Sequence, residues 1–225
     1  MEQITVLRGP DRVRRRPAVV FGSDDLRGAE NAVRPLLDLF CKEAMLGHCG
    51  KLTVIHSGAE VTISGDDRGL CLGNGLWKQV FCEIPTAPRF DPDEPIPLFT
   101  LPETCHRVLF GDLGQEHIPV FGFLDLCALQ YVCSFMDIHT VRDGVEQMLH
   151  FEKGWPVGDL QTRPTDAPSG TCIRFALDSE VFSDVILSDD FFAQVLKQIA
   201  RRAPGLVCTW LDWESGISRT YRNPT

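Results

Sequence analysis

The chain has 225 residues, of which 44% are hydrophobic and 24% charged, with a net charge of -9. That length allows one large domain or two small ones with a real core. The acid excess speaks against a large nucleic-acid footprint, which depends on clustered Lys and Arg, and no apolar run approaches the roughly 18 to 20 residues of a membrane-spanning helix. The opening MEQITVLRGPDRVRRRP lacks the apolar core of a signal peptide, so a cytoplasmic chain without a membrane partner is expected. Its basic cluster, Arg12, Arg14, Arg15 and Arg16, reads as a solvated or partner-docking arm.

Taken in chain order, the apolar residues Ala29, Val33, Leu37, Phe40 and Ala44 recur every three or four positions, which predicts a core-facing helix over residues 27–46 that ends at Gly47. Pro35 inside this helix either kinks it or marks its first residue. LTVIH (52–56) and EVTIS (60–64) read as a hairpin turning at Ser57-Gly58-Ala59. Residues 85–119 hold seven prolines and read as an irregular lid or binding loop. A buried helix or turn is expected over 121–136, followed by strands at 138–141 and 145–152 around the turn signal Arg142-Asp143-Gly144. Another strand falls at 171–177, and Ser188 caps a helix over Phe191, Val195, Leu196 and Ile199. Two strands, 206–213 and 216–222, close the chain. The sum is an α+β fold, one mostly antiparallel sheet covered by helices.

Nine cysteines without a CxxC pair read as reduced, buried thiols. Cys105-His106 is the one adjacent Cys/His pair and has no second pair at zinc-ligand spacing, so no metal centre is expected.

Five ordered segments carry a resemblance. LRGPDRVRRRPAVVFG (7–22), EAMLGHCGKLTVIH (43–56), DDRGL (66–70), VRDGVEQMLHFEKGWPVGDL (141–160) and SGTCIRF (169–175) are similar to the opening arm, catalytic-helix end, DDGRGIP box, following hairpin and TGTxVxF strand of a known domain. That domain is the N-terminal ATPase domain of the gyrase B and topoisomerase IV family, in the GHKL superfamily. The resemblance implies a Bergerat-type two-layer α/β sandwich with nucleotide held between the long helix and the sheet under a glycine-rich lid. It further implies a single domain over 1–225, with residues 1–22 as its arm, 85–119 as a divergent lid, and no transducer or topoisomerase domains.

Carried over residue by residue, the resemblance puts Pro35 where the family has its water-activating glutamate and Leu39 where it has its magnesium-binding asparagine. Neither side chain has a proton acceptor or a metal-binding oxygen. Gly65 falls at the adenine-reading aspartate, unless a one-residue slip restores Asp66 there. The glycine-rich lid is matched by PVFGFLD (119–125), with one glycine. Glu43 and Arg68 match a pair beneath the adenine, Thr171 a strand threonine near the base, and Arg142 an arginine at the pocket mouth.

Losing base, metal ligand and phosphate loop together gives the expectation of a pseudo-ATPase that acts by binding a protein partner or small ligand. No cofactor is expected, and ATP with magnesium only in a weakened mode. Two alternatives stand beside it: weakened ATP binding through Thr171, Arg68 and Asp66, and a repurposed small-molecule enzyme using His106, His117, Asp112, Glu116 or Cys82. The expected partner is a second copy or a topoisomerase subunit, since the family's arm crosses to a second protomer.

Overall fold

The computed structural model describes residues 7–83, 103–112 and 124–223, with the side chains of 105–112 and 126–223 in the last two segments. Two short helices open it, α1 (Asp11–Arg14) and α2 (Pro17–Phe21), and then comes the long helix α3 (Leu26–Met45). After strands β1 (Lys51–Ser57) and β2 (Glu60–Gly65) follow three short helices, α4 (Leu76–Phe81), α5 (Glu103–Leu109) and α6 (Leu124–Tyr131). Strands β3 (Cys133–Arg142), β4 (Val145–Glu152), β5 (Trp155–Pro156), β6 (Gln161–Pro164) and β7 (Gly170–Leu177) precede helix α7 (Asp189–Arg202), and β8 (Val207–Asp212) and β9 (Ser218–Tyr221) end the chain.

The nine strands form one mixed sheet in the order β5-β4-β3-β7-β2-β1-β8-β9, with β6 also on β4. Every pairing among them is antiparallel except β1 with β8, which is parallel. Alternation decides the faces. Leu52, Val54, Val61, Ile63, Ile173, Phe175 and Trp210 are buried under the helices, whereas Thr53, Thr62 and Arg174 lie on the open face. The expected two-layer sandwich is thus the observed one, and no described helix is long and apolar enough to cross a membrane.

Helix α3 is the central element of the helical layer. Asp25 caps its start, accepting the Arg27 N–H at 2.9 Å. At the far end the Gly47 N–H donates to the Ala44 carbonyl and the His48 N–H to the Glu43 carbonyl, a Schellman closure that needs the left-handed φ of +82° at Gly47. Pro35 is the tenth residue of this continuous helix, so α3 does not begin there. Its ring is buried, and the Asn31 carbonyl loses the N–H that any other residue would supply.

Local signals place most of the remaining elements. Asp143 and Gly144 both have positive φ, 50° and 74°, the turn that suits the twist of a two-residue hairpin. Ser188 Oγ accepts the Phe191 N–H at 3.1 Å. Two expectations change. Residues 103–109 within the proline-rich stretch are helical, and β3 starts at Cys133, well before the predicted boundary at Ile138. Residues 113–123, with most of the PVFGFLD stretch, lie outside the described residues.

The arm segment from residue 7 packs on its own chain. Val13 is buried, Arg14 Nη1 donates to the Tyr131 carbonyl at 3.1 Å, and Arg14 Nη2 meets Asp178 Oδ2 at 2.6 Å.

An interior helical proline costs about 3 kcal/mol against alanine, while the two ring methylenes that alanine lacks contribute about 1.6 kcal/mol when buried. Pro35→Ala is therefore expected to stabilise the chain by about 1 kcal/mol, read as a raised urea midpoint at unchanged slope.

Candidate functional site

The residues that the sequence singles out converge on one end of the α3–sheet interface. Pro35, Leu39 and Glu43 are spaced by four on α3 and share a face. Leu39 is 1% exposed and Glu43 0%. Gly65, the last residue of β2, lies opposite Thr171 in β7. A side chain at Gly65 would meet the Phe40 ring, since an added Cβ would stand 2.8 Å from Phe40 Cδ1. The interface beside Leu39 is filled by this fully buried ring.

The two aspartates after Gly65 part company. Asp66 faces solvent and accepts the main-chain N–H groups of Gly50 and Lys51 at 2.8 and 2.7 Å, so it fixes the entry to β1. Asp67 is 2% exposed, and its Oδ1 accepts both the Gly69 N–H and the Thr171 hydroxyl at 2.7 Å. Its Oδ2 would be 3.1 Å from a Cβ on Gly65 and has no protein partner among the described residues. The Asp67 carboxylate thus reaches back to the threonine that faces Gly65 across the strands. Thr171 Oγ1 lies 3.2 Å from Thr140 Oγ1, which accepts the Leu70 N–H at 2.7 Å. Burial pushes the Asp67 carboxyl up to about 6, against the opposing hydrogen bonds from Thr171 and Gly69.

Glu43 and Arg68 form the pair that the sequence suggests. Arg68 Nε donates to Glu43 Oε2 at 3.0 Å and Nη2 to Oε1 at 2.6 Å. Its other edge donates to Asp112, Nη1 to Oδ1 at 2.8 Å and Nη2 to Oδ2 at 3.0 Å. Four of the five guanidinium donors are therefore spent on two carboxylates. The guanidinium also lies 5.4 Å from the centre of the Phe110 ring, and His106 Nε2 stands 3.1 Å from Glu43 Oε1. Burial alone would push Glu43 up, but the nearby His106 ring and the hydrogen bonds from Arg68 outweigh it and hold the carboxyl below its ordinary range. The hydrogen bond from Arg68 likewise lowers Asp112.

Gly69 makes this arrangement possible. Its φ is +77°, and a Cβ there would sit 2.0 Å from the Val141 carbonyl oxygen. Arg142 closes the same contact, donating from Nη1 to the Gly69 carbonyl at 3.0 Å with Nε 3.3 Å from Asp143. Beside it lies an open concavity of about 410 Å³, lined by Leu70, Cys71, Leu76, Val108, Val145 and Arg142 among others.

Of the groups considered for new chemistry, His106 and Asp112 are brought into the Glu43–Arg68 cluster, whereas His117 and Glu116 lie outside the described residues. Cys82 is half-buried, and burial pushes its thiol up to about 11, away from the thiolate a nucleophile needs. Among the described residues no group of three or more His, Cys, Asp or Glu is arranged to hold a metal ion. Sequence reasoning missed Asp67, although the doubled Asp66-Asp67 before Arg68-Gly69 was a usable signal.

The chain is similar to the B subunit of DNA gyrase from Thermotoga maritima, 25% identical over 98% of this chain and 33% of the relative. It is 28% identical to the B subunit of DNA topoisomerase 4 from Enterococcus faecalis over 93% of this chain and 29% of that one. To the mitochondrial gyrase B protein of Arabidopsis thaliana it is 30% identical over 84% of this chain and 25% of the relative. No family model matches the chain. It thus spans a third or less of the length of these relatives, and within that span the similarity runs nearly end to end, as the five segments suggest.

Two outcomes follow from the cluster. Removing the cation of a buried pair strands the carboxylate, so Arg68→Ala, which leaves the fully buried Glu43 without its partner, is expected to destabilise the fold by about 3 kcal/mol in urea unfolding. The raised Asp67 carboxyl binds its proton more tightly folded than unfolded, so its contribution to stability falls as pH rises from about 4 through about 6. Asp67→Asn is expected to remove that part of the slope, on the order of 2 to 3 kcal/mol, in melts taken across this window.

Proposed function

We propose, on the premise of this similarity to gyrase B-type chains, that the protein is a single gyrase-B-like domain working as a pseudo-ATPase: a fold that acts by binding a protein partner or small ligand and not by hydrolysing ATP. The observation that carries the reading is the filled helix–sheet interface. Leu39 and Phe40 are 1% and 0% exposed, and the Phe40 ring stands against a glycine where the family reads adenine with an aspartate.

The residues at hand do not fit a magnesium–ATP group. Leu39 and Pro35 offer carbon where a metal oxygen and a base are required. Arg68, which could meet a phosphate, has four of its five donors spent on Glu43 and Asp112. Loss of a general base alone costs about 100-fold to 10,000-fold, and with the metal ligand gone as well no route to phosphoryl transfer is evident.

Where the bound species is a protein, the candidates are a second copy or a topoisomerase subunit, by analogy with the relatives. The cis packing of Val13 and Arg14 supports a monomer, or a dimer of another kind than one closed by nucleotide.

Asp67 favours a second reading, weakened nucleotide binding, because its carboxylate is bonded to Thr171 where the Gly65 side chain is missing. Thermal-shift titration with ATP and magnesium to millimolar concentration separates the two. The pseudo-ATPase reading expects no rise in melting temperature. A saturating rise of about 2 °C or more would sink it.

A further inference from the structure

Helix α5 and the turn behind it fill the cleft end beside Arg68. Cys105, Val108, Leu109 and Phe110 are at most 2% exposed, so the segment presents a continuous apolar side. Yet its attachment to the rest of the fold is slight in main-chain terms: among the described residues one backbone hydrogen bond, from the Cys71 N–H to the Leu109 carbonyl at 2.7 Å, joins it to the loop between β2 and α4. Its other backbone bonds are its own, Phe110 N–H to His106, Gly111 N–H to Val108 and Asp112 N–H to Arg107. Seven residues are too few to hold a helix in water unaided, so this one persists through what it docks on.

The docking has polar contacts at both ends, and the one toward Arg68 is an ion pair. His106 meets Glu43, and Gly111, at φ +75°, turns the chain so that Asp112 reaches the free edge of Arg68. Glu43 and Arg68 satisfy each other without α5, since two of the four charged hydrogen bonds run between them. Asp112 adds the other two from outside. An element that supplies its own carboxylate and aromatic ring to a preformed guanidinium has the contact pattern of a bound ligand.

We infer that residues 103–112 are a releasable intramolecular plug, latched by the Asp112–Arg68 ion pair, which keeps the cleft self-occupied until the segment leaves. The inference rests on the pseudo-ATPase reading of this cleft. When the plug is out, Arg68 presents two freed donors and the apolar wall under Phe110 is bared.

Cysteines at the right places allow a direct test. Cys105 is buried on the plug, and Cys133 is buried at the start of β3, where opening requires the sheet. Labelling of the intact chain with iodoacetamide, read cysteine by cysteine by peptide mass spectrometry, compares the two openings. Cys105 is expected to react at least about tenfold faster than Cys133, because local opening costs less than global unfolding. Asp112→Asn is expected to raise the Cys105 rate by about tenfold more, with Cys133 unchanged, as suits the loss of charged hydrogen bonds. Equal rates at Cys105 and Cys133 in the unaltered chain would overturn the plug, as would a Cys105 rate that Asp112→Asn leaves where it was. Should that variant not fold, the comparison within the unaltered chain decides alone. No nucleotide enters this measurement, so ATP binding by the unaltered chain would defeat the proposed function through a different result.

Discussion

The site depends on the Arg68 guanidinium held between two carboxylates. Glu43 lies fully inside the protein, and a carboxylate there without a cation would cost several kcal/mol. Arg68 removes that penalty and, by doing so, fixes three things at once: the last turns of α3, the loop leaving β2, and the segment that carries Asp112. The close approach of Gly69 to Val141 holds the same loop from the opposite side. Geometry here is set by charge and by one missing Cβ, more than by apolar packing.

A few ångströms away the interface follows the opposite logic. Pro35, Leu39, Phe40 and Gly65 offer no polar side-chain atom, and Phe40 occupies the room that Gly65 vacates. Polar groups persist only where they are bonded, as in the Asp67–Thr171–Thr140 chain, whose one loose end is Asp67 Oδ2. A water-filled catalytic cleft would need the reverse, open polar groups with somewhere for solvent to stand. The two neighbouring regions thus differ in kind, one held by paired charges and the other closed by side-chain packing.

How much of this was legible in the sequence varied with how local the signal was. The α3 stripe, the Asp143-Gly144 turn and the Ser188 cap are each written within a few residues, and each fell where expected. The Glu43–Arg68 pair was legible through resemblance, since nothing in its spacing announces it. Helix α5 was not: seven residues among prolines give too short a window for periodicity, and its helicity comes from docking. Asp67 escaped for another reason. Assigning one residue to one position cannot register a side chain that reaches back across two. The parallel pairing of β1 with β8 has no local signature either, because its partners stand some 150 residues apart.

That pairing carries a consequence for how the chain is made. Strand β1 sits inside the sheet, flanked by β2 and β8, and Lys51 through His56 align with Val207 through Asp212. During synthesis from the N-terminus the hairpin of β1 and β2 emerges early, but the far edge of β1 stays without its partner until α7 and β8 have followed. Until β8 emerges an apolar strand bearing Leu52 and Val54 therefore has open hydrogen-bonding groups along one side. The β8 segment closes the fold as much as it extends the sheet, and a nascent chain halted before it would expose an aggregation-prone edge.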